Sequence, residues 1–338
     1  MDAIDGDWVR QALPGFFSPL EVAASVPTTM VRAAELAASG VPEGATVVTE
    51  EQTEGRGRLG RAWVAPPGSS LLLSVVLRPP LPRDAVWLTV AAAGVALAAA
   101  VDEVAPKAAP AGLKWPNDLE LGGRKAAGLL AEAHLEGDRL AAVLLGMGVN
   151  VGQGSADFPP EVADRATSVS LAAGAPVDRA ELLAAWAGRF LEGYASLRDG
   201  RPGPVLAAYR ERLVTVGRPV RADRVGADPV VGTAVDLTPT GALVVQTPSG
   251  ARAVPVDQPD QGVPLPQGVA LPEVAVDEHL CLPRRRLGHP LLGLHEQGLK
   301  RLAAAEGAEV LAGDRPVAPW QGRAGRQRDR VQRGRDAA

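Results

Sequence analysis

The spacing of apolar and polar positions divides the chain into a strand-rich first half, a helical middle and a second, shorter strand-rich segment. Apolar residues recur at helical spacing over residues 28–40, where Thr28 or Thr29 can cap the start and Gly40 can stop the end. Residues 45–51 and 70–77 read as strands, the second halted by Pro79 and Pro80. Residues 85–104 are apolar almost all round, which predicts a helix buried on more than one side. A short strand at 113–115 and a turn at Pro116-Asn117-Asp118 come next. Residues 124–134 and 139–151 then pair as a hairpin across Glu136-Gly137-Asp138. Helices follow at 178–197 and 205–214.

From Arg218 the pattern shortens to strand candidates at 219–222, 230–236, 242–246 and 251–256, parted by turns such as Thr240-Gly241 and Ser249-Gly250. Strands are too frequent for strict β-α-β alternation, so the expected class is α+β: a mixed sheet with flanking helices, then a small antiparallel barrel. After about residue 258 the periodicity gives way to proline, glycine and arginine, and residues 321–338 carry six arginines against two aspartates. That stretch reads as a disordered tail. The expected organisation is an N-terminal extension (1–20), a catalytic domain (21–214), a barrel (215–258) and the tail (259–338).

Composition narrows the function. Apolar residues make up 46% and charged residues 22%, and the net charge of −4 gives no overall pull toward nucleic acid or anionic membrane. No membrane span and no secretory signal are expected, and the single cysteine, Cys281, excludes an intramolecular disulfide framework. The expected location is the cytoplasm. Of 35 cationic side chains only Lys107, Lys114, Lys125 and Lys300 are lysine, and Asn117 and Asn150 are the only asparagines. Lys114, Asn117 and Lys125 fall within twelve residues, so the rare polar residues cluster as a site would.

Three motifs carry chemistry. Gln52-Thr-Glu-Gly-Arg-Gly-Arg-Leu-Gly-Arg61 with Trp63 interleaves glycines, which permit close backbone approach, with arginines, whose planar forks suit carboxylate and phosphate. Such a loop is expected to close on an anion. Its bland reading is a basic turn or an RG-type nucleic-acid segment, against which stand its brevity and the acidic flank Glu50-Glu51. Lys114-Trp-Pro-Asn-Asp118 followed by Gly123-Arg-Lys-Ala-Ala-Gly128 brings Asn117 and Lys125 to one end of a sheet, with an exposed hairpin as the alternative. Gly146-Met-Gly-Val-Asn150 ends an apolar strand and, beside the other two, reads as a glycine-floored pocket.

Together with Glu132, these motifs resemble the biotin protein ligase family in order and approximate spacing, from about residue 21 to 256. The resemblance implies a biotin/lipoate ligase catalytic fold, like that of class II synthetases, and an SH3-like barrel. It implies conversion of biotin and ATP, with Mg²⁺, to biotinyl-5′-AMP, then transfer to a lysine of a biotin carboxyl carrier domain of acetyl-CoA or acyl-CoA carboxylase. Matched by position, Arg58 and Lys125 stand between carboxylate and phosphate as the catalytic pair. Thr28, Thr29, Met30, Gln52, Gly55, Arg56, Gly57, Arg58, Lys125, Gly128, Gly146 and Gly148 are then the biotin site. Arg56, Arg58, Arg61, Trp63, Asn117, Asp118, Lys125 and Asn150 are the ATP and adenylate site, with Mg²⁺ held mainly through the ATP phosphates and no protein metal site.

Met30 departs from the family's usual asparagine, and the strand around Val254 departs from its usual ending. About twenty residues precede the resemblance, so a DNA-binding repressor domain is not expected, while dimerisation through the sheet is compatible with it. The usual motifs of lipoate ligases are missing, which disfavours that rival. Cys281, His279, His289 and His295 match no structural metal spacing.

Overall fold

A computed structural model describes residues 6–58, 61–224 and 227–256. The tail and its Cys281 and histidines lie outside them, as does the second compact unit of the chain, Leu291–Ala338.

Seven strands form one mixed sheet: β1 (Leu20–Val26), β2 (Thr46–Gln52), β3 (Ser70–Leu77), β4 (Gly112–Lys114), β5 (Asp118–Leu121), β6 (Arg124–Glu136) and β7 (Arg139–Asn150). Their order is β1-β2-β3-β7-β6-β5-β4, parallel only between β1 and β2. The expected mixed sheet is therefore present, and the hairpin turns at Gly137, whose φ of 61° suits glycine. Pro116-Asn117 is the expected turn, but Asp118 already begins β5.

The helices are α1 (Gly6–Ala12), α2 (Thr29–Ala38), α3 (Trp87–Val104), α4 (Val169–Ala173), α5 (Arg179–Arg198) and α6 (Gly203–Arg212). One sheet face, carrying Val48, Leu73, Val75, Leu145, Met147 and Val149, packs into a core shared with α1, α3, α5 and α6. There α5 contributes Trp186, Phe190 and Tyr194 at one-turn spacing, with successive rings stacked 5.1 and 5.5 Å apart. α1 lies inside the expected extension, yet Val9, Leu13 and Phe17 are buried in this core.

The segment Arg83–Val104 corrects one expectation: by length and composition it is apolar enough to cross a membrane. Here its apolar surface is consumed by packing between the sheet, α5 and α6, as an all-round apolar helix requires.

The other sheet face is covered only in part. Ala33 and Ala34 of α2 pack on Val47, Val76, Ala142 and Leu144. Because successive side chains alternate, the same face continues through Ser74 and Gly146, then Leu72, Gly148 and Gly128. Beyond α2 the sheet thus presents a floor nearly stripped of side chains.

A second sheet is antiparallel, in the order β11-β10-β9-β8: β8 (Pro219–Arg224), β9 (Ala227–Leu237), β10 (Leu243–Thr247) and β11 (Gly250–Val254). It docks on the first through tryptophans. Trp115 Nε1 donates to Gly241 O at 3.0 Å, and the ring of Trp87 packs under Gly241 while its Nε1 donates to Pro116 O at 2.7 Å on the first sheet's own β4–β5 turn. Gly241 sits at φ 90°, and a Cβ there would stand 2.0 Å from the Trp87 ring.

Candidate active site

Residues delivered by β2, α2, β5, β6 and β7 converge on the open floor. At the entry to α2, Thr28 Oγ1 accepts from Val31 N at 3.0 Å and so caps the helix. Thr29 N and Oγ1 both donate to Gln52 Oε1, at 2.8 and 3.2 Å, and Ser74 Oγ donates to Thr29 Oγ1 at 2.8 Å. Thr29, Gln52 and Ser74 thus form one network, while the Thr28 hydroxyl is committed to the cap. Ser74 carried no motif signal. Met30 lies over the floor, its sulfur 2.8 Å from where a Cβ on Gly146 would stand.

The arginine loop is a closed hairpin. Arg56 bridges Ala62, Gly57 N donates to Arg61 O at 2.8 Å, and Trp63 N donates to Gly55 O at 2.8 Å. Residues 59–60 at its tip lie outside the described residues. A Cβ at Gly55 would meet Trp63 O at 2.4 Å, so this glycine is required by the hairpin's own closure. Gly57 has nothing nearer than 3.7 Å, so packing does not explain it. Between residues 51–55 and 62–65 lies a cavity of about 340 Å³, within the usual range for small-molecule sites.

Trp63 reaches from the hairpin onto the floor. A Cβ on Gly148 would stand 2.9 Å from its indole, and one on Gly128 would stand 3.2 Å from the ring and 3.3 Å from Lys125 Nζ. Lys125 Nζ lies 5.7 Å from the centre of a Trp63 ring, within cation–π range. The same ammonium is 2.6 Å from Asp118 Oδ1, a close ion pair without the angle of a directed hydrogen bond. Trp63 Nε1 is buried with no hydrogen-bond partner. Of the expected site residues, the fold brings Lys125, Asp118, Trp63, Gly128 and Gly148 together.

The other expected residues divide. Arg56 is exposed and pairs with Glu54 at 3.6 Å. Arg58 is half-buried, and Arg61 is exposed. Asn117 Nδ2 donates to Leu129 O at 2.9 Å, stapling the β4–β5 turn to β6. Asn150 is turned inward, Nδ2 donating to Thr167 O at 3.1 Å and Oδ1 accepting from Gln153 Nε2 at 3.0 Å.

Electrostatics single out two groups to which sequence reasoning gave no role. Glu132 stands on the same face of β6 as Gly128, and burial pushes its carboxyl up while Arg56 holds it down. Tyr209 of α6 is fully buried with its hydroxyl unpartnered. Burial and the Asp118 charge push that hydroxyl up, against Arg58. Glutamate is too common for composition to mark, whereas Tyr194 and Tyr209 are the only tyrosines in the chain, and that rarity is the signal that could have drawn attention to Tyr209.

Comparison with known proteins gives the class first: residues 22–150 match the Biotin/lipoate A/B protein ligase family, and residues 215–257 match the Biotin protein ligase C terminal domain. Among similar proteins, the bifunctional ligase/repressor BirA of Bacillus subtilis is 33% identical over 67% of this chain and 69% of its own length. The biotin–[acetyl-CoA-carboxylase] ligase of Mycobacterium tuberculosis is 36% identical over 66% of this chain and 82% of its own. Among solved structures, the biotin protein ligase of Aquifex aeolicus in complex with biotin and ATP superposes with a TM-score of 0.61 at 28% identity, covering 70% of this chain and 96% of that one. The chain belongs to the biotin protein ligase family.

Proposed function

We propose that this chain activates biotin with ATP and transfers it to the target lysine of a biotin carboxyl carrier domain of acetyl-CoA or acyl-CoA carboxylase. Family membership supports the ligase activity and both substrates. The observation that carries the site reading is the meeting of Lys125, Trp63 and the glycine floor beside the Thr29–Gln52 network.

The first step joins two anions. A biotin carboxylate oxygen attacks the α-phosphorus, the bond to the bridging oxygen breaks, and pyrophosphate leaves. Arg58 and Lys125 neutralise the two anions as they approach, and Lys125 must leave Asp118 to do so. Thr29, Met30 and Gln52 hold the biotin end, Thr28 supports them by capping α2, and Gly128, Gly146 and Gly148 give clearance above the floor. Gly55, Arg56 and Gly57 line the biotin side of the hairpin. Arg61, Trp63, Asn117, Asp118 and Asn150 serve the adenylate side. A Mg²⁺ ion would be held mainly by the ATP phosphates, with Asp118 as the site carboxylate that could reach it, and would supply charge neutralisation at the pyrophosphate. In the second step the carrier lysine amine attacks the acyl carbon, forming the amide and releasing AMP. A closed hairpin keeps water from the adenylate until then.

On this reading residues 21–214 form the catalytic domain and 215–258 the SH3-like domain, the protein works in the cytoplasm where ATP and carrier meet, and DNA binding plays no part. Dimerisation through the sheet is compatible with it. Biotin-dependent ATP–pyrophosphate exchange, with lipoate as competitor, tests the first step. Exchange that biotin drives and lipoate does not is the expected result, and exchange driven by lipoate alone would overturn it.

A further inference from the structure

Gln153 follows β7 and is 2% exposed, yet none of the sequence motifs includes it. Its carboxamide spans the end of the β3–β7 pair, where Ser70 stands opposite Asn150. Nε2 donates to Ser70 Oγ at 2.6 Å and to Asn150 Oδ1 at 3.0 Å, while Oε1 is buried without a partner. The backbone there is pinned as well: Ser168 Oγ donates to Gln153 O at 2.6 Å, and Gly152 N donates to Ser69 O at 2.8 Å.

These contacts have a direction. The Thr167 carbonyl can only accept, so the nitrogen of the Asn150 amide must face it. The Asn150 oxygen therefore faces Gln153, which must present its nitrogen in turn. The Asn150 amide is thus held at both ends, its nitrogen by the Thr167 carbonyl and its oxygen by the Gln153 nitrogen. The arrangement leaves the Gln153 oxygen orphaned in a buried setting, which is costly.

We propose that Gln153 is a positioning residue for nucleotide binding: it locks the Asn150 amide in one orientation at the adenylate rim. The proposal rests on the reading of Asn150 as an adenylate contact given above. With the lock in place, Asn150 meets the nucleotide with one oxygen lone pair and one N–H already committed and the others at fixed positions. Without it, the Asn150 amide keeps only its Thr167 anchor and its oxygen end is released, so only a fraction of its orientations suits the nucleotide and apparent affinity falls by that fraction.

The test uses the full chain and three variants: Gln153→Met, which keeps the length and removes both polar ends, Gln153→Glu, which presents only acceptors, and Asn150→Ala. KM for ATP and KM for biotin are measured separately in biotin-dependent ATP–pyrophosphate exchange, with melting temperature as a check on folding. Gln153→Met is expected to raise KM for ATP about tenfold and to leave KM for biotin within twofold. Gln153→Glu is expected to be worse for ATP, because its carboxylate opposes the Asn150 oxygen. In the Asn150→Ala background, Gln153→Met is expected to add nothing, since a residue acting through Asn150 has nothing left to position.

An unchanged KM for ATP in Gln153→Met, equal rises for ATP and biotin, or a full additional loss in the double variant would each overturn the proposal. If Asn150→Ala itself left KM for ATP unchanged in an active enzyme, the assignment of Asn150 would fail, and the proposal with it.

Discussion

Lys125 is held in the described structure by two neighbours with opposite demands, the carboxylate of Asp118 and the face of Trp63. An ammonium shared in this way is easily redirected when a carboxylate and a phosphate arrive together, because a compact charge on a four-carbon stem moves at little cost. Lys125→Ala should slow biotin-dependent pyrophosphate exchange by about 100-fold or more, the scale of losing one preorganised charge partner. Gly148→Ala tests the floor differently. Its Cβ would land 2.9 Å from the Trp63 indole, so tryptophan emission should shift and biotin affinity should fall while the fold survives. Unchanged emission would show that Trp63 does not rest there. At this scale rarity and pattern in the sequence pointed to residues that the fold gathers, Lys125 with Trp63, Gly128 and Gly148, whereas Arg56 and Arg61 stand exposed and the two asparagines are engaged by backbone carbonyls. Ser74 and Gln153 escaped because serine and glutamine are unremarkable types, and only distant partners in the fold give them a role.

Among the elements, α2 shows how one short helix separates support from recognition. Thr28 spends its hydroxyl on the cap, whereas Thr29 spends both its N–H and its hydroxyl on Gln52. Thr28→Ala should therefore cost about 1 kcal/mol of stability, the usual worth of such a cap. Thr29→Ala should weaken biotin binding more than Thr28→Ala does, which calorimetry on both variants would decide. A larger loss of biotin affinity in Thr28→Ala would place its hydroxyl in the ligand site rather than the cap. The periodicity of the chain gave β3 to the residue and α2, α3 and α5 to within about two residues. It did not give β1, α1, α4 or β5. Each of these spans at most seven residues, and β1 is an alanine- and serine-containing edge strand defined by its parallel pairing with β2, whose paired residues lie 26 positions further along and which no local pattern announces.

At the scale of the whole molecule, the β4–β5 turn that carries Asn117 and Asp118 is clamped from behind by the second sheet. Trp115 reaches Gly241, Trp87 holds Pro116 while its ring lies against Gly241, and Arg210 of α6 joins Asp236 at 2.9 Å and Leu237 O at 2.6 Å. Gly241→Ala would force a Cβ into Trp87 at a backbone angle that favours glycine, and should cost about 3 kcal/mol. A melting temperature indistinguishable from that of the parent would contradict this clamp. A chain ending at Val256 keeps both sheets through the end of β11 and should retain ligation. A folded but inactive truncation would give the tail a part in the reaction. The central claim is best tested by incubating the full chain with ATP, Mg²⁺, biotin and a purified apo biotin carboxyl carrier domain, then weighing the carrier intact. The account predicts a single biotinyl addition that disappears without ATP and is greatly slowed by Lys125→Ala. A folded enzyme that leaves the carrier's mass unchanged and shows no biotin-dependent pyrophosphate exchange would contradict it.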